Sequence, residues 1–303
     1  MATIAATVPE LPDLTVVSEA FDAALRGRPL VRASAPGPLV VRGTPAELQG
    51  FVGQRLTDVI RRGKFLRFQF EIDAIVVNAM LTGRFQLAEP GHPLPSKTAV
   101  ALGFGPRAKG PARAGRWTKG AAWMPPDEAE AEIRYRDPTQ MGKVYLLPAG
   151  QARSVPGYDG IEGPDNEQGP DADDPGLTLD VWRERIRRHP GELKPLLRNQ
   201  AFVAGIGNAY SDEILHAARL NPFRKRSSLA AEEVDELYHA TRETLARACA
   251  TLRLRVPPTF ETEVRDFLAV HLRGGKACPR CGTKISEVSS RSEATSWCRG
   301  CQG

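Results

Sequence analysis

Four cysteines close the chain in two pairs, Cys278-Pro-Arg-Cys281 and Cys298-Arg-Gly-Cys301, with sixteen residues between the pairs and two after them. Each C-x-x-C is short enough for two thiolates to grip one ion from a single tight turn. Sixteen residues make the hairpin that carries the second pair to the remaining tetrahedral positions. The spacing predicts a zinc ribbon, a closed structural site with one zinc ion on Cys278, Cys281, Cys298 and Cys301. The alternative is two disulfides, or thiols without metal. No apolar leader opens the chain, so nothing in it points to the oxidising compartment where disulfides persist. The fifth cysteine, Cys249, lies in the helical pattern Leu245 to Ala250 and reads as a small buried apolar residue outside the metal site.

With 303 residues the chain is long enough for two domains and the metal module, and no stretch approaches the apolar length that spans a bilayer. The expectation is a soluble, intracellular protein. A formal net charge of +5 and a pI near 9.0 fit a polyanionic partner, and with so modest an excess its clustering decides. Basic residues cluster at Arg61-Arg62-Gly63-Lys64, from Arg183 to Arg188 and at Arg224-Lys225-Arg226, while acids gather at 127–137 and 161–174. Any one such run alone is a solvated face.

Leu14, Val17, Phe21 and Leu25, followed by Gly27, predict one amphipathic helix with a glycine stop. Strands are predicted at 64–70 from alternation, at 75–77 from an apolar run, and at 98–102 and 143–147, packed as a sandwich or barrel. Thr44-Pro45-Ala46-Glu47 is a capping box with proline at the first helical position, which predicts one short helix. Residues 105–120 carry Arg107, Lys109, Arg113, Arg116 and Lys119 among glycines, with no acid, and read as a basic loop. From Gly157 to Gly176 the composition turns to Gly, Pro, Asp and Glu, a linker; helices are then predicted at 181–188, 193–198, 209–218 and 229–252. There is no internal repeat.

Gly205-Ile206-Gly207-Asn208 stands immediately before a helix start. Glycines let a phosphate approach the backbone, and a helix N-terminus offers unpaired N–H groups and a positive dipole end. A plain helix–helix turn explains the same residues, and no third glycine falls in register for a dinucleotide fingerprint.

The run from Asn199 through Gly205-Ile206-Gly207-Asn208 to Leu215 resembles the helix-two-turns-helix motif of the formamidopyrimidine-DNA glycosylase / endonuclease VIII family. Pro9-Glu10-Leu11-Pro12-Asp13 resembles that family's amino terminus, and the ribbon ending Cys301-Gln302 its zinc finger. The resemblance runs from Pro9 to the end. It implies an α+β protein of several domains: an N-terminal helix plus β-sandwich at 9–150, a helix-two-turns-helix domain at 176–256 and a zinc-ribbon finger at 270–303, with DNA in the cleft between. The implied partner is double-stranded DNA with damaged bases or abasic sites, met by a monomer in the cytoplasm at the nucleoid. The implied reaction is excision of flipped-out oxidised bases, then strand cleavage through a covalent imine. The resemblance makes Pro9 the nucleophile, Glu10 the acid that assists sugar opening, and Lys64 the lysine facing the lesion. Lys194 and Asn208 match phosphate-contacting positions.

This chain also departs from the family. Eight residues precede Pro9, and a proline inside a chain is a tertiary amide without a usable lone pair. Either Val8 is a start codon read as internal, since GTG encodes both, or a real extension silences the site or must be cleaved. Asn78-Ala79-Met80-Leu81-Thr82-Gly83 stands where the family usually has His-Leu-Gly-Met-Thr-Gly, which places Leu81 at the methionine that fills the emptied stack. Asp137-Pro138-Thr139-Gln140-Met141-Gly142 stands for Asp-Pro-Arg-Arg-Phe-Gly, so Gln140 and Met141 take the other wedge positions. Gln140 lacks an arginine's charge and fork. Glu293 occupies the place of an arginine, a carboxylate that repels phosphate unless Arg291 substitutes for it. Residues 251–270 lack the longer lesion-covering loop of the 8-oxoguanine-specific members. The leading expectation is a DNA glycosylase with abasic-site lyase activity in base excision repair; the alternatives are a catalytically silent damage-binding protein and a zinc-ribbon protein of transcription or translation.

Overall fold

Short strands with aromatic and β-branched residues on one face build the first half of the chain. A computed structural model describes residues 8–107, 121–158, 168–290 and 293–303. Two units emerge, one of 13–155 with 252–263, the other of 10–12, 156–251 and 264–303.

Helix α1 (Leu11–Leu25) leads into β1 (Leu30–Ser34), β2 (Val41–Arg42), α2 (Pro45–Gly50), β3 (Leu56–Arg62), β4 (Phe65–Phe70), β5 (Ala74–Asn78), β6 (Arg84–Ala88), β7 (Thr98–Phe104), β8 (Ala131–Arg136) and β9 (Lys143–Leu147). One sheet has the order β2-β9-β5-β4-β3 and the other β1-β7-β8-β6. Rings join the two sheets: Phe70 stacks on Phe104 at 6.5 Å between centroids, and Phe68 lies 6.1 Å from Phe85. From α1, Phe21 reaches Phe85 at 5.8 Å and Phe260 at 5.0 Å. Each such buried side chain contributes roughly 1.5–3 kcal/mol of transfer free energy. The capping box is present as read: the Thr44 hydroxyl accepts from the Glu47 N–H at 3.2 Å, and the Glu47 carboxylate from the Thr44 N–H at 2.7 Å.

The predicted strands coincide with β4, β5, β7 and β9. The sequence reading missed β1, β2, β3, β6 and β8; in β3 and β8 Asp58, Arg62, Glu132 and Arg136 interrupt the apolar pattern, so it is thin in the sequence. Between the paired β7 and β8 the chain runs 26 residues, far beyond a hairpin's need. Fully buried Arg28 holds both flanks of this connection, donating to the carbonyls of Gly105 at 3.2 Å and Pro126 at 2.7 Å. Arg107 donates to the carbonyls of Ala23 and Ala24 at the end of α1. The other cations of the predicted basic loop, Lys109, Arg113, Arg116 and Lys119, lie outside the described residues.

The second unit holds α3 (Leu179–Arg188), α4 (Leu193–Arg198), α5 (Asn208–Ala217) and α6 (Ala231–Arg255), then the hairpin β10 (Ser286–Ser290) and β11 (Glu293–Trp297) and one turn of helix, α7 (Arg299–Gln302). These helices match the predicted ones within a few residues. Trp182 anchors the core, 4.9 Å from Phe202 and 5.8 Å from Tyr238. Residues 168–176, read as linker, are not loose: Gly169 and Ala172 donate their N–H groups to the carbonyls of Gln200 and Ala204, and Ala172 is buried. Cys249 is buried in α6, as expected.

Candidate nucleic-acid interface and metal centre

The four cysteine sulfurs converge, all within 4.8 Å of one another. Cys278 and Cys301 are 3.9 Å apart and Cys281 and Cys298 3.4 Å. A disulfide needs about 2.05 Å, whereas zinc–thiolate bonds of about 2.3 Å in a tetrahedron put sulfurs about 3.8 Å apart. The donor set therefore fits one tetrahedral metal ion, and all four cysteines are free rather than paired as disulfides. Hydrogen bonds from Thr283 pull Cys281 down to about 6, while burial pushes Cys301 up to about 12. Behind the sulfurs the apolar cluster is small: among the described residues Val270 and Ile285 with buried Cys278 and Cys298, and Ala269 and Cys301 packed against them.

The ribbon is held on α5 and α4 by buried polar groups. The Glu213 carboxylate accepts the N–H groups of Ala269, Val270 and His271 at 2.7–2.9 Å, which fixes the entry to the ribbon. Asp212, one residue earlier, accepts from the Lys194 ammonium at 2.6 Å and pairs with His271 Nδ1 at 2.8 Å. Lys194 also donates to the Ala294 carbonyl on β11 at 2.7 Å and is 4 % exposed, so its charge is spent inside the unit. Burial lowers its pKa, against the pull of Asp212. His216, in the last turn of α5, puts Nε2 3.3 Å from Cys278 Sγ, and burial with the neighbouring Arg280 cation pushes it down to about 4. None of Asp212, Glu213, His216 and His271 stands out in the sequence.

At the other end of α5 the glycine turn has found its anion. Glu10 accepts the N–H groups of Gly207 at 2.5 Å, Ala209 at 2.8 Å and Tyr210 at 3.2 Å, and is itself buried. A Cβ on Gly207 would stand 2.5 Å from the Glu10 carboxyl carbon, and one on Gly205, at φ +99, would meet Leu11 at 2.8 Å. The glycines thus admit the Glu10-Leu11 segment, and a carboxylate takes the helix N-terminus that sequence reasoning offered to a phosphate. Asn208 opens α5, and its shielded Oδ1 meets no donor among the described residues.

In the first unit two turns stand side by side. Buried Asp137 accepts from the Thr82 hydroxyl at 2.5 Å and from the Gly142 N–H at 2.7 Å, and the Thr82 and Thr139 hydroxyls lie 2.6 Å apart. Leu81 lies on the first of these turns and Gln140 and Met141 on the second, with Met141 46 % exposed. Met80 joins them, 36 % exposed at φ 47, and Gln140 is at φ 56. Neither Met80 nor Asp137 was singled out in the sequence. Lys64 sits at the tip of the two-residue turn between β3 and β4, whose first residue is Gly63 at φ 55. Pro9 is buried, its nitrogen in the amide to Val8. Arg291 lies outside the described residues. Glu293 is no bare carboxylate: Arg198 grips it with both guanidinium nitrogens, one at 2.6 Å.

Comparison with known proteins follows the same layout. The family model of the formamidopyrimidine-DNA glycosylase N-terminal domain matches residues 8–144, and that of the formamidopyrimidine-DNA glycosylase H2TH domain matches 168–255. The chain is 30% identical to the formamidopyrimidine-DNA glycosylase of Symbiobacterium thermophilum over 97% of its own length and 89% of the relative's. With the Pelotomaculum thermopropionicum enzyme of that name the identity is 28%, over 97% of this chain and 99% of the other. Among solved structures, the Lactococcus lactis Fpg complexed with abasic-site DNA superposes with a TM-score of 0.78 at 22% identity, covering 97% of this chain and 99% of that one. The same protein with DNA containing N7-benzyl-Fapy-dG gives 0.78 over the same shares. At this identity the structural likeness shows the fold.

Proposed function

The chain belongs to the formamidopyrimidine-DNA glycosylase family, and from that premise we propose that it is a DNA glycosylase of base excision repair that excises oxidised bases and cleaves the abasic site through an imine on Pro9. As a free secondary amine with a pKa of roughly 8, Pro9 nitrogen keeps a lone pair on part of the population at neutral pH. Attack on the sugar C1′ expels the base, which leaves protonated, the amine loses its proton, and opening of the C1′–O4′ bond, with the oxygen taking a proton, gives an iminium; loss of a C2′ proton then breaks the bond to the 3′ phosphate. The family match begins at residue 8, which supports Val8 as the initiator position and Pro9 as the working terminus.

The observation that carries this reading is the triple N–H grip on Glu10. It fixes the carboxylate beside the terminal proline in sequence and ties the amino terminus to the helix that opens with Asn208. Glu10 assists sugar opening, and Lys64 faces the lesion from its hairpin tip. Leu81, Gln140 and Met141 fill the stack vacated by the flipped base. Asn208, at the start of α5, binds phosphate by donating from its amide Nδ2, joined by Arg291 of the ribbon, while Lys194 acts by holding β11 in place. The metal of the ribbon is zinc, and 9–150, 176–256 and 270–303 serve as catalytic domain, DNA-binding helical domain and finger. Its substrate is duplex DNA with damaged bases or abasic sites, met as a monomer at the nucleoid. Among the described residues no helix is long and apolar enough to cross a membrane.

Borohydride trapping on abasic-site DNA tests the reading. Protein starting at Pro9 is expected to give a covalent adduct, and protein that keeps Met1 none. Equal trapping by both would overturn the terminal-proline mechanism. If neither traps, binding without excision takes its place. Glu10→Gln should bind abasic DNA but excise slowly.

A further inference from the structure

We propose that His216 is an outer-sphere partner of the ribbon's metal, its Nε2–H donating to the Cys278 thiolate and lowering that sulfur's reactivity toward electrophiles. The inference rests on the metal reading of the four cysteines and goes beyond it by assigning a role to α5. His216 Nε2 lies 3.3 Å from Cys278 Sγ. A metal-bound thiolate carries no proton, so a hydrogen bond at this distance requires the imidazole to donate. Both residues are buried, so water cannot replace the bond if it is lost. The Cys278 sulfur has one further donor among the described residues, the Arg280 N–H at 3.4 Å.

The knuckle is built to hold the imidazole there. Arg280, between the two ligands of the first pair, donates to the carbonyls of His216 at 2.8 Å and Ala217 at 3.4 Å and so caps the end of α5. The C-x-x-C turn and the last turn of α5 thus brace each other around one N–H···S contact. Outer-shell donors of this kind orient the ligand and withdraw charge from it. His216 is a positioning residue: it touches a ligand and not the metal.

The experiment uses the full chain loaded with zinc, as His216→Phe, which keeps a planar ring without the donor, and His216→Gln, whose amide N–H reaches toward the place of Nε2. Metal content is measured first. Iodoacetamide is then added: its carbon bonds to a cysteine sulfur as iodide leaves, the metal–sulfur bond breaks, a chromophoric chelator reports the released zinc, and peptide mapping gives the share alkylated at Cys278 rather than at the exposed Cys281. The expected result is release about tenfold faster from His216→Phe, the low end for loss of an outer-shell partner, with His216→Gln close to the parent protein. In the cobalt-substituted proteins the sulfur-to-cobalt charge-transfer band should move to lower energy for His216→Phe alone, a shift that a purely packing role would not produce. Equal release rates and an unmoved band in a metal-loaded His216→Phe overturn the inference and leave the metal reading intact. A parent protein without stoichiometric metal sinks both.

Discussion

The two units differ in what they bury beside their apolar cores. Between the sheets of the first lie rings and branched aliphatics, and its fully buried Arg28 and Asp137 serve loops at the margin. In the second, Glu10, Lys194, Asp212, Glu213, His216 and His271 are all buried where α4 and α5 meet the amino terminus and the ribbon. The reason is size. A sandwich of nine strands closes its own apolar core, whereas the ribbon offers Val270, Ile285 and its cysteines and must be located by other means. Directed bonds do this: a carboxylate with several N–H donors admits one position, while apolar surface tolerates sliding. The price is sensitivity to losing a single partner.

That contrast breaks most readily at Asp212. Asp212→Ala strands the buried Lys194 ammonium and the His271 donor, and should cost about 3–5 kcal/mol in chemical denaturation, the range for breaking a buried pair. Replacing both charges, as Lys194→Met with Asp212→Leu, should cost distinctly less. If the single change costs under about 1 kcal/mol, the charges are not what holds this unit.

Glu213→Gln is next. The amide keeps one acceptor oxygen for three N–H groups, so about 2 kcal/mol should be lost, the scale of hydrogen bonds to a charged group. Hydrogen exchange should quicken at Val270 and His271 and stay unchanged in β4 and β5. Uniform acceleration would mean that the ribbon entry is not a local device. In the sandwich, Ile133→Val should cost about 0.5–1.5 kcal/mol, because only one methylene leaves a packed core. A larger loss there would erase the difference between the units.

The same contrast explains what the sequence discloses. β4, β5, β7 and β9 are legible because alternation or an apolar run is a local signal of a buried face. β3 and β8 are not, because their charged residues dilute it. The metal site is fully legible: two C-x-x-C pairs state ligand type and spacing within a few dozen residues. The resemblance makes Glu10 a catalytic acid, but nothing local in the sequence shows its burial or that of Asp212 and Glu213; only tertiary contacts do, and Glu10 and Gly207 are 197 positions apart. The glycines of 205–207 fit a close approach to an anion as well as a plain turn. They cannot say that the anion is the chain's own carboxylate, and Lys194 likewise shows its charge but not Asp212.

The smallest expected effect on stability falls at Met80, and its smallness is the point. A non-glycine residue at positive φ costs roughly 1–2 kcal/mol, and Met80 at φ 47 also leaves a thioether chain in solvent. Folding gains little from either. Met80→Gly removes the strain but frees the unfolded chain, so the net change should stay within about 0.5 kcal/mol. Excision should nonetheless fall, with binding to undamaged duplex nearly unchanged, because the turn beside Leu81 loses apolar surface that can follow a wedge into the stack. The control is Ile72→Gly, an exposed apolar residue in the turn between β4 and β5, at the opposite end of β5 from Asn78. If both variants excise at the parent rate, Met80 is a tolerated strain and the wedge consists of Leu81, Gln140 and Met141 alone.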